Sequence, residues 1–161
     1  MGRQIHSSFN AKNDIVSASA TCYDTGRTRN AKGEHVAFET ARALETHEVP
    51  GVVEMYRACA QRAKHVGFDG VEIHAANGYL VDQFLQSSTN FRTDQYGGSF
   101  ENRARFLLEI VDALKTVWSA NRIGVRLAPN GVFGGMGSAD NFEMFTYVME
   151  RLSQHGLAYL A

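Results

Sequence analysis

The chain has 161 residues, of which 44% are hydrophobic and 20% charged, a balance typical of a globular domain in water. Its formal net charge of −1, without a basic run or stripe, argues against nucleic acid as a partner. No apolar run approaches membrane-spanning length and the two cysteines lie far apart, so we expect a cytoplasmic protein with reduced thiols and no membrane association.

The first regular element is predicted only after a long irregular stretch. Residues 7 to 47 are polar and lack sustained periodicity, which favours a functional loop or a displaced segment. Pro50 then suits the first turn of a helix and Gly67 its end. Residues 70 to 74 follow as a short buried strand. The apolar face predicted for the helix consists of Val52, Tyr56, Cys59, Ala63 and Val66.

The same cycle of helix and strand occurs twice more. Ser99 is predicted to cap the second helix, which leads into a strand over residues 123 to 128. Asp140 with Glu143 predicts a capping box for the third helix, and residues 157 to 161 begin another strand. The core stripe of the second helix is Phe106, Leu107, Ile110, Val111, Leu114, Val117 and Trp118. That of the third helix is Phe142, Phe145, Met149 and Leu152.

Alternation of helix and strand at this spacing predicts right-handed βαβ units and a parallel sheet. Three strands cannot close a barrel, so both sheet edges are expected to be open and to offer a route to self-association. We treat residues 1–161 as one domain, with a loop-rich segment over 1–47 and βα units over 48–161. A small doubly wound α/β domain is the alternative fold.

Three polar residues at the end of the first predicted strand form a set with a possible chemistry. His74 shares a strand face with Glu72, and both His74 and Asn77 are good hydrogen-bond donors to a carbonyl oxygen. Two such donors stabilise the enolate that forms when hydride reaches the β-carbon of an enone, and Tyr79 carries a phenolic proton for the α-carbon. The alternative for His74 is a satisfied core histidine, while a zinc site with Glu72 lacks further ligands.

Two features of the next strand and loop also have competing interpretations. A buried arginine such as Arg126 needs an anionic or carbonyl partner, and a structural salt bridge with Glu72 would satisfy it. Residues 131 to 137 contain four glycines, but they form neither GxGxxG nor a Walker motif. We therefore do not expect a phosphate site in this loop.

The segment NFRTDQYGGSFENR, residues 90 to 103, follows closely after EIHAANGYL, residues 72 to 80. Together they resemble the signature of the old yellow enzyme family, FMN-dependent ene-reductases built on a TIM (β/α)8 barrel. The resemblance implies that His74 and Asn77 bind the substrate oxygen and that Tyr79 donates the proton. It also implies that Arg126 contacts the flavin and that NADH or NADPH is the hydride donor. A structural role, pinning the loop, is expected for Arg92, Asp94, Arg103 and Arg105.

A complete TIM barrel needs about 250 residues. The chain is therefore expected to form a partial TIM barrel, about strands four to six with their helices, from the middle of a family member. The resemblance places the FMN phosphate near the last barrel strands, outside these residues. It implies NAD(P)H-driven reduction of α,β-unsaturated carbonyls, but we expect no such activity from the chain alone. The alternative is an inactive fragment or a pseudo-enzyme half-barrel that needs a partner chain.

Overall fold

The first 47 residues contain short paired strands where the sequence indicates only a loop. The computed structural model describes residues 1–161. Its first four strands are β1 (Val16–Ser17), β2 (Thr28–Arg29), β3 (His35–Val36) and β4 (Arg42–Ala43). β1 pairs with β4 in parallel, and β2 pairs with β3 in the antiparallel direction. Strands of two residues are too short to produce a period-two pattern, which explains why the sequence did not predict them.

The rest of the chain alternates helices and strands in the predicted order. The elements are α1 (Val49–His65), β5 (Val71–Ala75), α2 (Leu80–Leu85), α3 (Phe100–Lys115), β6 (Ile123–Leu127), α4 (Asn141–Ser153) and β7 (Tyr159–Leu160). β5, β6 and β7 form a parallel sheet in that order, with Ile73 opposite Val125 and Val125 opposite Leu160. The short helix α2 was not predicted, and it is important because its side chains support the candidate site described below.

Most of the predicted helix ends are confirmed. Pro50 lies in the first turn of α1, and Gly67 follows this helix with a φ of 88°. The Ser99 side chain accepts a hydrogen bond from the backbone N–H of Asn102. The capping box predicted for α4 is wrong, because the Asp140 side chain makes no capping hydrogen bond. Its carboxylate instead accepts hydrogen bonds from Ser87 and Arg103, which ties α4 to the preceding helices.

The core lies between the helices and one face of the sheet. Ile73 and Ala75 of β5 are fully buried there, and the rings of Phe84 in α2 and Phe106 in α3 pack with centroids 4.6 Å apart. The full set of seven residues predicted for the α3 stripe lies in this core or against it. No helix of the chain is both long and apolar enough to cross a bilayer.

Some residues predicted in the helical stripes are exposed. Cys59 was expected in the core but is exposed, and Val66 is exposed as well. The stripe of α1 is centred on other positions, so Cys59 lies at its flank: Val49, Val52, Val53, Tyr56, Ala60 and Ala63. In α4, Phe142 and Met149 are exposed, because the buried stripe runs instead through Met144, Phe145, Val148 and Leu152.

The signature segment from Asn90 to Arg103 is held by hydrogen bonds to several parts of the chain. The Arg92 guanidinium donates to the carbonyl oxygens of Ala18 and Leu44 and pairs with Asp94. Arg105 donates to Gln95 O over 2.9 Å. The expectation that these charged residues pin the loop is confirmed.

Arg103 anchors the end of the same segment. Its guanidinium donates to Leu85 O over 2.9 Å and to the Asp140 carboxylate over 2.6 Å. The Arg103 side chain is only 3% exposed, and its two bonds link α3 to the end of α2 and to the start of α4.

Candidate active site

The uncovered face of the parallel sheet carries polar side chains in two rows that run across the strands. The lower row contains Glu72 and Tyr159, and the upper row contains His74 and Arg126. Side chains alternate along β5, so Ile73 and Ala75 enter the core while Glu72 and His74 point to the other face, as predicted. In register, Glu72 lies opposite Gly124, and His74 lies opposite Arg126. The candidate site therefore lies at the carboxyl ends of β5 and β6, where barrel enzymes place their catalytic groups.

The lower row is closed by a contact between the two outer strands. The Tyr159 hydroxyl donates a hydrogen bond to Glu72 Oε2 over 3.0 Å, and this bond raises the pKa of the Tyr159 phenol. The ring crosses over Gly124, where a Cβ would lie 2.3 Å from Tyr159 Cζ. A glycine is thus required in the middle strand for Tyr159 to reach Glu72.

Arg126 lies in the upper row and differs from expectation. It was expected to be buried, with a salt bridge to Glu72 as the alternative, but its side chain is exposed. None of the ion pairs of the chain includes it. The physical reason is that three strands leave this face of the sheet open, so the charge stays in water and Glu72 bonds to Tyr159 instead.

The predicted substrate-side residues are brought together by a tight turn after β5. Asn77 and Gly78 have φ values of 57° and 73°, in the left-handed region that asparagine and glycine tolerate best. The turn brings the ring of Tyr79 back to that of His74, with centroids 5.3 Å apart. His74 Nε2 is buried and has no hydrogen-bond partner. A buried nitrogen without a partner is unusual, and beside Tyr79 at a strand end it is free to bond to a ligand.

Sequence reasoning missed the polar residues that support this turn. Asp82 and Gln83 of α2, and Gln86 directly after this helix, are fully buried. Asp82 accepts a hydrogen bond from Gly78 N over 2.8 Å, and Gln83 donates to Gly78 O over 2.6 Å. Burial raises the pKa of the Asp82 carboxyl, while the hydrogen bonds from Gly78 and Gln86 oppose that shift. The available signal was three polar residues within the otherwise apolar run that starts at Leu80.

A second missed residue is Arg3, which lies beneath the glycine-rich loop. The Arg3 guanidinium is buried and donates to Gly134 O over 2.9 Å, and Gln4 donates to the same oxygen over 3.2 Å. The loop packs on the turn, since a Cβ at Gly78 would lie 2.9 Å from Phe133 O. Nothing in the spacing of Arg3 distinguished it from a surface arginine.

A parallel βα sheet with a histidine, an asparagine and a tyrosine at one strand end defines a section of a (β/α)8-barrel enzyme. The comparison with known families identifies which one. Residues 1–160 match the profile of the NADH:flavin oxidoreductase / NADH oxidase family, and the chain belongs to that family. The predicted old yellow enzyme relationship is thereby confirmed.

Named relatives agree with this assignment. The chain is 41% identical over 126 residues to 12-oxophytodienoate reductase 2 of Arabidopsis thaliana, covering 78% of this chain and 34% of the relative. It is 41% identical over 132 residues to a probable flavin mononucleotide-dependent alkene reductase of Leishmania infantum, covering 82% and 36%. The chain thus spans about a third of the length of these curated relatives.

Solved structures show the same relationship in three dimensions. Morphinone reductase in complex with tetrahydroNAD matches with a TM-score of 0.93 at 45% identity, over 99% of this chain and 45% of that one. The old yellow enzyme homologue from Zymomonas mobilis matches with a TM-score of 0.94 at 36% identity, over 99% and 44%. The predicted partial TIM barrel is confirmed, and the doubly wound alternative is wrong.

Proposed function

We propose that the polypeptide carrying this chain is an FMN-dependent ene-reductase that reduces C=C bonds conjugated to a carbonyl group, with NADH or NADPH as the electron source. The observation that carries the proposal is the unpartnered His74 Nε2 beside Tyr79 at the end of β5. Family membership and the names of the relatives support the same chemistry.

The residues present fit the ring end of a flavin cofactor. Arg126 offers an unpaired cation at the same strand end as His74, opposite it in register. A guanidinium suits the carbonyl groups of a flavin ring and the negative charge that accumulates there on reduction. FMN, when bound, supplies the hydride that is added to the alkene. We assign ring contact to Arg126 and no phosphate contact to the residues of this chain.

His74 and Asn77 act on the substrate oxygen in this proposal. Both donate hydrogen bonds to the carbonyl, and those bonds strengthen as the oxygen gains negative charge. The hydrogen bond that His74 Nε2 lacks within the chain would thereby be formed with the substrate. The left-handed turn at Asn77 keeps the asparagine close to the end of β5.

Tyr79 acts as the general acid. Its hydroxyl transfers a proton to the α-carbon as the enolate returns to the ketone, so one hydride and one proton complete the reduction of the C=C bond. The ring packs beside His74, which holds both groups on the same side of the turn.

A second candidate concerns the 161 residues alone. The sheet face that carries Arg126 is open, and Tyr159 and Leu160 of β7 are exposed. This favours a half-barrel that is inactive by itself and associates with another chain or with a second copy. The two candidates are compatible, because the first concerns the whole polypeptide and the second concerns this section.

The test is FMN retention followed by enone reduction. The isolated chain, purified with excess FMN and desalted, is expected to elute colourless, whereas the polypeptide that carries it retains a protein-shifted flavin spectrum. In that polypeptide, with NADPH and 2-cyclohexenone, Tyr79→Phe is expected to lower kcat about 10²- to 10⁴-fold. KM is expected to change little.

The matched control is Tyr147→Phe on α4, far along the chain from the site, which is expected to keep full activity. Equal loss in both tyrosine variants would count against Tyr79 as the acid. A yellow, active 161-residue chain would overturn the half-barrel candidate.

A further inference from the structure

The peptide groups of Gly78 are held by two side chains of α2. Gly78 N–H donates to Asp82 Oδ2 over 2.8 Å, and Gly78 O accepts from Gln83 Nε2 over 2.6 Å. Gly78 stands between Asn77 and Tyr79, so any rotation of its peptide groups moves both neighbours. These two hydrogen bonds therefore fix the directions in which Asn77 and Tyr79 leave the turn.

The same hydrogen bonding continues to the loop that follows β6. Gln86 Nε2 donates to Asp82 Oδ1 over 2.9 Å, and Gln86 Oε1 accepts from Gly137 N over 2.8 Å and from Ser138 N over 3.2 Å. Asp82 and Gln86 are fully buried. An unbroken chain of hydrogen bonds thus runs from the loop after the Arg126 strand to the turn after the His74 strand.

The direction of each hydrogen bond in this series is determined by the groups at the two ends of the series. The ends are backbone N–H groups, at Gly137 and Gly78, and a backbone N–H only donates. Gln86 must therefore present its oxygen to the loop and its NH₂ group to Asp82, while Asp82 accepts with both oxygens. A buried carboxylate is costly to place, and an apolar side chain at this position would avoid that cost only by leaving the Gly78 N–H and the Gln86 NH₂ group without an acceptor.

We propose that Asp82 and Gln86 are positioning residues, which hold the Asn77–Tyr79 turn in register with the loop after β6. Through them the two neighbouring strand ends, one with His74 and the other with Arg126, keep a fixed geometry. This inference rests on the proposed function of His74, Asn77 and Tyr79, which gives that geometry its purpose.

A swap of the two side chains tests the proposal. Asp82→Asn alone places an NH₂ group against either Gly78 N–H or the Gln86 NH₂ group. Gln86→Glu alone places two carboxylates within hydrogen-bonding distance of each other. In the double variant, the introduced amide accepts from Gly78 and donates to the introduced carboxylate, which still accepts from Gly137. Every hydrogen bond is restored with nearly the same atoms.

The measurement is hydrogen exchange of the Gly78 and Gly137 amides, followed by NMR on the full chain. Each single variant is expected to exchange about 10- to 100-fold faster at Gly78, the effect of losing a hydrogen bond to a charged group. The double variant is expected to return to within a few-fold of the original rate. The Ile110 amide in the middle of α3 reports global unfolding and serves as the reference.

Additive effects, with the double variant faster than either single one, would overturn the proposal. So would unchanged Gly78 exchange in both single variants. If the single variants do not fold, restored protection in the double variant still supports the proposal, and a double variant that does not fold overturns it.

Enone reduction by the polypeptide that carries the chain separates this inference from the proposed function. There the single variants are expected to lower kcat more than they raise KM, and the double variant is expected to recover. An active enzyme without recovery refutes the positioning role alone. An unsubstituted protein with no enone reduction refutes the proposed function, even where the exchange pattern recovers and supports the hydrogen-bonded chain.

Discussion

The loop from residue 90 to 103 and the turn from residue 74 to 79 both carry the family signature, but they differ in how far their polar groups are hydrogen-bonded within the chain. In the loop, the Asn90 side chain donates to Phe84 O and to Tyr96 O, each over 2.7 Å. In the turn, His74 Nε2 has no partner, and Arg126 in the neighbouring strand is likewise unpaired. The side-chain N–H groups of Arg92 and Arg103 donate to other residues of the chain, with the exception of Arg103 Nε.

This difference separates the two reasons for which a motif identifies a family. A segment whose donors and acceptors are satisfied internally fixes the shape of the fold. The strand ends leave His74 Nε2 and the exposed Arg126 guanidinium without partners in the chain, so both groups are free to bond to a ligand. Pairing within the chain, which sequence does not show, thus favours a structural role for the loop and a binding role for the strand ends.

The largest expected effect comes from replacing, in separate variants, the paired Arg103 and the unpaired Arg126 by methionine. Arg103→Met removes the ion pair between the buried Arg103 and the partly exposed Asp140, together with the bond to Leu85 O, and is expected to lower the free energy of unfolding by about 3 kcal/mol. Arg126→Met removes an exposed, unpaired charge and is expected to change it by less than about 0.5 kcal/mol. Urea unfolding followed by circular dichroism measures both. Comparable losses in the two variants would show that pairing within the chain does not distinguish a structural arginine from one that is free to bind a ligand.

The architecture was readable because its signals are long and periodic. The stripe of α3, the cap at Ser99 and the alternation of Glu72, Ile73 and His74 each follow from spacing alone. The resemblance then supplied His74, Asn77, Tyr79 and Arg126 as a set, which spacing would not have assembled. Their roles remain predictions.

Other features depend on neighbours that are distant in sequence. Asp140 has the pattern of a helix cap, but its carboxylate accepts hydrogen bonds from the Ser87 hydroxyl and the Arg103 guanidinium, both of which are distant in sequence. Cys59 lies at helical spacing, but the stripe of α1 is centred one position along the helix, on Ala60. Asp82 and Gln86 look like surface residues until the loop after β6 covers them.

A smaller effect is expected at the two glycines of the signature loop. A Cβ at Gly97 would lie 2.2 Å from the carbonyl oxygen of Arg92, so Gly97→Ala forces the backbone apart. We expect a loss of about 2–3 kcal/mol in the free energy of unfolding. Gly98→Ala meets no atom within 4 Å and is strained only by its φ of 80°, at a cost of about 1–2 kcal/mol. Thermal unfolding of the two variants gives the order, and a reversed order would show that the loop does not close on Arg92.

The smallest expected effect is the pH dependence of the ion pair between Arg92 and Asp94. The hydrogen bonds from the Arg92 guanidinium, chief among its contacts, hold the pKa of the Asp94 carboxyl well below its usual range. A carboxyl whose pKa is lowered in the folded state binds its proton at a lower pH than the same carboxyl in the unfolded chain. Its contribution to stability is therefore complete above the ordinary aspartate pKa of about 4 and is lost as the pH falls through the folded value.

Asp94→Asn should remove that contribution. Because the Asp94 side chain is 26% exposed, we expect a loss of at most about 1 kcal/mol near neutral pH. The difference from the unsubstituted chain should shrink as the pH falls below about 4, since the unfolded chain then takes up a proton at Asp94 that the folded chain does not, and it should vanish below the folded pKa. Asp69→Asn, an exposed aspartate outside the ion pairs, is the matched control and should change little at either pH. A difference for Asp94→Asn that is independent of pH would mean that Asp94 contributes through neutral hydrogen bonds, such as those from Thr46 and Tyr96, and that its charge is not needed for the loop.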